Sequence, residues 1–287
     1  MPSLKYLSIP IFISLILTGC NKQQTEDNEV FTWEISTPEA EGIDGAIIDA
    51  LHSEFQNGSY GLVDHFLLIR NGKIVADHHY NHDYKTISQA YDTTEHQYNY
   101  DHPDWHPYYQ NTDLHSLQSV TKTVTSILLG IAKDEGLPVY LDSAILPLFG
   151  NYQIDKTDAV KMSITLHDLL TMRSGILWDE TSSYADDSLN NCTAMELKED
   201  WIQYVLDRPM DTIPGTKFVY NSGVSMLIGK IVSMATGKSL DSWAEEKLFG
   251  PLGITEYYWK KTPLGEVDSE GGLYLKPHDL AKIAYMV

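Results

Sequence analysis

The stretch HSLQSVTKTVTSILLG, residues 115–130, sets a serine at 119 and a lysine at 122, three positions apart, at the mouth of an apolar run. Apolar side chains recur at Val124, Ile127, Leu128 and Ile131, the spacing of one helix face, and Gly136 supplies a stop. Residues three apart on a helix share a face, so Ser119 and Lys122 are expected to touch. Burial beside Val120, Val124, Ile127 and Leu128 disfavours an ammonium, which predicts a lysine that is neutral part of the time and takes the serine proton. Backbone N–H groups at the helix start would then face a developing oxyanion. The same residues also fit a serine cap with a lysine reaching back to the surface, and a Ser-x-x-Lys match by itself does not choose between the two.

Upstream, HFLLIR (65–70) and KIVADHHY (73–80) flank Asn71-Gly72, the dipeptide most favoured in tight hairpin turns, and predict a hairpin over 65–80. Ile47, Ile48, Leu51 and Phe55 form a helical stripe. Downstream, Thr165 to Asp168 reads as a capping box opening a short helix that ends near Gly175. Further helices are expected over 194–206, 222–235 and 240–248, extended pieces over 218–220 and 271–274, and a last helix from Pro277. Strands early and late with helices between them predict an α+β sandwich over residues 31–287. In it an antiparallel sheet is flanked by helices, with an all-helical region besides, and the first strands ask for partners from the C-terminus that this chain stops short of supplying. The helix after Val120 is expected to be central.

Five stretches carry a resemblance in order: HSLQSVTKTVTSILLGIA, LLTMRSGI, PGTKFVYNSGVSMLIGKIVSMATGKSL, KLFGPLGI and GGLYLKPHDLAKIAYM. They look like the β-lactamase-related serine hydrolases, which include class C β-lactamases, D-alanyl-D-alanine carboxypeptidases, esterases and nylon-oligomer hydrolases. The resemblance implies the β-lactamase/transpeptidase fold and a small-molecule amide or ester substrate cleaved through an acyl-enzyme. It implies Ser119 as nucleophile, Lys122 as general base, and Tyr220 of Tyr220-Asn221-Ser222 as general acid and base. A phenol beside an ammonium suits that last role. Ser222 falls at the family's substrate-contacting position, where β-lactamases carry Asn, and this leans toward the esterase and oligomer-hydrolase branch. The family's Lys-Thr-Gly or His-x-Gly strand is not found before Val287, which predicts that C-terminal strands of the sheet are missing from this chain. A second reading keeps the fold without catalysis, as a lipoprotein that binds peptidoglycan fragments or a protein partner.

Acidic residues outnumber basic ones 40 to 20, and a net charge of -20 repels phosphate backbones, so no nucleic-acid partner is expected. The opening MPSLKYLSIPIFISLILTGC resembles a bacterial lipoprotein signal over residues 1–20, with lipid attachment at Cys20 and a polar tether over 21–30. That predicts an exported protein of the cell envelope, anchored in the membrane by its lipid, at the outer membrane facing the periplasm. Cys192 is then alone, in the polar run LNNCTAM, with no helix start or basic neighbour to activate it. Segment 81–113 reads as a long loop rich in Tyr, His, Asp and Asn. His78, His79, His82, His96, His102 and His106 lack the spacing of a metal-ligand set, and neither metal nor cofactor is expected.

Overall fold

The computed structural model describes residues 31–87, 89, 112–184 and 188–287. Cys20, the tether and His96, His102 and His106 lie outside the described residues, as does most of the 81–113 segment. In chain order the elements that matter are β1 (Glu34–Ile35), α1 (Gly45–Gln56), β2 (His65–Arg70), β3 (Lys73–His79), α2 (Tyr84–Ile87), β4 (His115–Ser116) and α3 (Thr121–Asp134). They continue with α4 (Leu166–Leu170), α5 (Asn191–Glu196), α6 (Trp201–Asp207), α7 (Ser222–Thr236), α8 (Leu240–Ala244), β5 (Tyr258–Trp259), β6 (Leu273–Leu275) and α9 (Pro277–Met286). Among the described residues no helix is long and apolar enough to cross a membrane.

The hairpin forms where Asn71-Gly72 asks for it: both residues take positive φ, 52° and 76°, the backbone of the tight turn that matches strand twist. Thr165 and Asp168 close the capping box on α4 in both directions. Two expectations change. The helix foreseen over 194–206 is two helices, α5 and α6, each started by its own side-chain cap, Asn190 and Asp200. The described strands form two three-stranded sheets, β1-β3-β2 and β4-β6-β5, and β1 runs parallel to β3. Among the described residues no strand from the C-terminus joins the early hairpin, and α9 packs on β2.

The α+β class stands, but the central helix is α7, not α3. Helix α7 buries ten residues from Ser222 to Val232 on all sides, the pattern of a helix enclosed by others, and α3, α4, α6 and α8 pack against it. Helix α3 buries one face, through Val124, Thr125, Leu128, Leu129 and Ala132. Close packing on α7 depends on glycine: a Cβ at Gly223 would stand 2.6 Å from Val205 Cγ2 and 2.7 Å from Trp178 Cη2. Gly130 on the exposed side of α3 would meet nothing within 4 Å.

These two glycines give opposite expectations in urea unfolding. Gly223→Ala destabilises by about 1–3 kcal/mol through overpacking. Gly130→Ala stabilises by about 0.5–1 kcal/mol, because it restricts the unfolded chain and improves helix propensity.

Candidate active site

Ser119 lies in a single 3₁₀ turn, Gln118–Val120, between β4 and α3, rather than in the helix itself. The turn is held from behind by β6: Leu117 N–H donates to Leu273 O at 2.9 Å, and Leu273 N–H donates to Thr121 Oγ1 at 3.2 Å. Gln118 sits at φ 42°, a left-handed conformation that non-glycine residues seldom adopt and that marks a constrained turn. The chain then enters α3, and Lys122 comes to Ser119 one turn on, Nζ to Oγ 3.1 Å.

From a hundred residues away Tyr220 arrives at the foot of α7 and donates from its OH to Ser119 Oγ at 2.7 Å. Lys122 Nζ stands 5.3 Å from the centre of the Tyr220 ring. Thus Ser119, Lys122 and Tyr220, singled out in the sequence, meet at one point. The serine and tyrosine are open to solvent, and the lysine side chain is only 10% exposed.

The protonation expected for Lys122 is not what the surroundings impose. Its Nζ donates to the Glu270 carbonyl at 2.8 Å and to Glu270 Oε2 at 3.0 Å, besides Ser119. Three acceptors for three N–H bonds describe an ammonium. Burial does pull the lysine toward neutrality, but the charge of the Glu270 carboxylate outweighs it and holds the Lys122 pKa above its ordinary value. Glu270 is itself buried, which pushes its carboxyl up, and the Lys122 charge reverses this and holds it below the usual carboxylate range. Two of the backbone donors near the helix start are engaged: Val120 N–H donates to Leu117 O and Thr121 N–H to Gln118 O.

Glu270 is positioned by a tight loop. Asp268 Oδ1 accepts from Glu270 N–H at 3.2 Å and from Gly271 N–H at 3.0 Å. A Cβ on Gly272 would fall 2.6 Å from Asp268 Cβ, so the second glycine of Gly271-Gly272 is needed for the loop to close. Burial, reinforced by the Glu270 charge, pushes the Asp268 carboxyl up to about 6. Behind it Glu196, pushed well up by burial, faces Lys260 Nζ at 3.5 Å.

Ser222 does not sit where a substrate contact requires. It is fully buried, and both of its polar groups go to Glu180: Oγ donates to Oε1 at 2.6 Å and N–H to Oε2 at 2.8 Å. Trp178 Nε1 and the Tyr184 hydroxyl donate to the same carboxylate at 2.7 and 3.0 Å. Ser222 therefore shapes the wall indirectly by fixing Glu180. A cavity of about 280 Å³ opens over Ser119, lined among others by Glu180, Tyr184, Glu196 and Glu270.

Cys192 lies in the first turn of α5, contrary to the expectation of no helix start. It is nevertheless no nucleophile: burial first, then the Glu270 and Glu196 carboxylates, push its thiol well up, so it stays protonated. Sequence reading missed Glu180, Glu196, Asp268 and Glu270. The one available signal was the buried lysine, which demands a counter-charge without saying where in the chain it lies.

The family model described as Beta-lactamase matches residues 53–286. Among curated proteins, the chain is 29% identical over 145 residues to a provisionally named D-alanyl-D-alanine carboxypeptidase of Escherichia coli (strain K12), covering 50% of this chain and 33% of that protein. It is 34% identical over 112 residues to an N-acetylmuramyl-L-alanine amidase of Bacillus subtilis (strain 168), covering 39% and 25%. The chain thus spans about a third or less of the length of these relatives. Among solved structures, FmtA from Staphylococcus aureus superposes with a TM-score of 0.59 at 17% identity, over 89% of this chain and 68% of that one, a likeness of fold.

The burial of Ser222 generates a discriminating expectation. Ser222→Ala lowers stability by about 1.5–3 kcal/mol, the range for a hydrogen bond to a charged group, read as a fall in melting temperature. The KM for an ester substrate stays near its starting value; a raised KM at unchanged melting temperature would restore the substrate-contact role.

Proposed function

The chain belongs to the beta-lactamase family, and on that premise we propose that it acts as a serine hydrolase, cleaving an amide or ester bond through an acyl-enzyme on Ser119. The observation that supports this most directly is the convergence on Ser119 Oγ of Lys122 Nζ at 3.1 Å and Tyr220 OH at 2.7 Å. Both distances allow proton transfer in the resting geometry.

The roles follow from the charges around the serine. An ammonium with all three N–H bonds engaged has no lone pair with which to take a proton. Lys122 therefore acts as a fixed positive charge. Tyr220 donates to Ser119 in the resting contact, so it first releases its own proton to solvent, and as a phenolate balanced by the Lys122 charge it accepts the Ser119 proton as Oγ attacks the carbonyl. The proton then passes from Tyr220 to the leaving amine or alcohol, and water enters by the reverse path to release the acyl group. The lysine charge, itself held on a buried side chain, stabilises negative charge on the Ser119 and Tyr220 oxygens throughout.

We also place the protein in the bacterial cell envelope, exported and lipid-anchored through Cys20 and facing the periplasm, on the strength of the residues before Cys20 alone. One experiment addresses chemistry and anchoring together. A fluorophosphonate probe labels the exported protein in the membrane fraction, Ser119→Ala abolishes labelling and lowers turnover by about 10⁴-fold or more, and Cys20→Ser moves the labelled chain to the soluble fraction. Absence of labelling in a folded, full-length protein would leave the non-catalytic reading instead.

Exchange of the Glu270 carboxylate separates the two roles for Lys122. With Glu270 present the lysine pKa is held up, so activity that needs the ammonium is lost only as pH rises far above neutrality. In Glu270→Gln the raising charge is gone while burial remains, and the alkaline limb of kcat/KM moves to lower pH. A neutral lysine base predicts the opposite: the acid limb moves down and activity near neutrality increases.

A further inference from the structure

Away from the Ser119 cavity, a second group of titratable side chains collects where β2, β3, the approach to β4 and the start of α9 meet. His65 opens β2 and pairs across the hairpin with His79 at the end of β3. Asp113 precedes β4, and His278 lies in the first turn of α9. The histidine spacings in the sequence omit this group, because His65 and His79 are brought together by hairpin register and Asp113 by the fold.

His65 is the informative member. Its side chain is 8% exposed, and its Nε2 lies 2.7 Å from Asp77 Oδ1. The other Asp77 oxygen meets His278 Nε2 at 2.9 Å. An Nε2–H donated to Asp77 leaves the lone pair on Nδ1, and that buried atom has no hydrogen-bond partner among the described residues. A buried acceptor without a donor calls for a ligand. A histidine whose far N–H is held by a carboxylate is also the arrangement that orients an imidazole toward a metal ion.

The remaining ligands are in place. One ligand atom from each of His65, His79 and Asp113 lies within 4.8 Å of the other two, with His79 Nδ1 3.7 Å from Asp113 Oδ1. Ligands of a tetrahedral ion bound at ~2.0–2.1 Å stand ~3.3 Å apart, so the three need only small closing movements. His79 and Asp113 have the freedom to make them, their side chains being 38% and 41% exposed. His115 Nε2, 3.3 Å from Asp113 Oδ1, braces that carboxylate.

We propose that His65, His79 and Asp113 bind a divalent transition-metal ion, with Asp77 orienting His65, and that Zn²⁺ is the ion best matched to two imidazoles and a carboxylate. Two other groupings are weaker. In Cys192, Glu196 and Glu270 the Lys122 ammonium already occupies the neighbourhood of Glu270 at 3.0 Å. In His65, Asp77 and His278 the facing atoms are already joined by hydrogen bonds. An ion at the proposed position ties the hairpin to the segment that enters β4, whose first residue lies four positions before Ser119.

The test uses the full chain, stripped with a chelator and titrated with Co²⁺. About one Co²⁺ per chain binds with the visible absorption of a four-coordinate site, Zn²⁺ displaces it, and melting temperature rises with the metal. His79→Ala and Asp113→Asn, both at exposed side chains, each weaken binding by about tenfold or more while circular dichroism reports an intact fold. His278→Ala leaves most of the binding in place. The proposal is overturned if the folded chain binds no Co²⁺, if both ligand variants bind like the parent, or if His278→Ala alone removes the metal.

Discussion

The buried ion pair between Lys122 and Glu270 is the constraint on which the site depends. Two charges removed from water are tolerated only when each answers the other and their remaining hydrogen-bonding capacity is met. Here the lysine meets both a carboxylate oxygen and the backbone carbonyl of the same residue, at 3.0 and 2.8 Å. Removing one partner of such a pair costs about 3–5 kcal/mol, because the other is left as an uncompensated buried charge. The same contact sets the electrostatics beside Ser119, since the carboxylate charge holds the lysine pKa above its ordinary value against the pull of burial.

Much of the surrounding architecture positions that pair. The loop 268–272 closes because Gly272 allows Asp268 to lie against it and accept from the N–H groups of Glu270 and Gly271. Ser269 ties the loop to α7, its Oγ donating to Ser225 O at 2.9 Å, and Thr125 on α3 donates to Ser269 O at 2.9 Å. Helices α3 and α7, which carry Lys122 and follow Tyr220, are thus joined to the counter-charge through one short segment. Glu180 completes the wall in the same manner: four donors fix its carboxylate, two of them from Ser222.

Legibility from sequence divides along the range of the interactions. The hairpin at Asn71-Gly72, the capping box at Thr165 and the start of α9 at Pro277 were readable because each is decided within a few residues. The split of one expected helix into α5 and α6 was missed because the apolar pattern runs on through the break, and the caps Asn190 and Asp200 that start each piece show only in the structure. The rank of α7 over α3 was not readable, since both carry apolar stripes and only packing decides which is enclosed. The orientation of Ser222 was not readable, because a motif position says nothing about which way a side chain is turned, and here it is turned to Glu180.

By itself the sequence put Ser119 and Lys122 within reach of each other, because residues three apart on a helical turn share a face. It also determined the α+β class, through periodicity and turn chemistry. Tertiary structure alone decided the surroundings of Lys122, because its partner Glu270 lies 148 positions along the chain and is delivered by a loop bonded to both α3 and α7. The same holds for Tyr220, 101 positions from Ser119, and for His65 beside Asp113. Electrostatic environment is a property of distance in space, and spacing along the chain does not encode it.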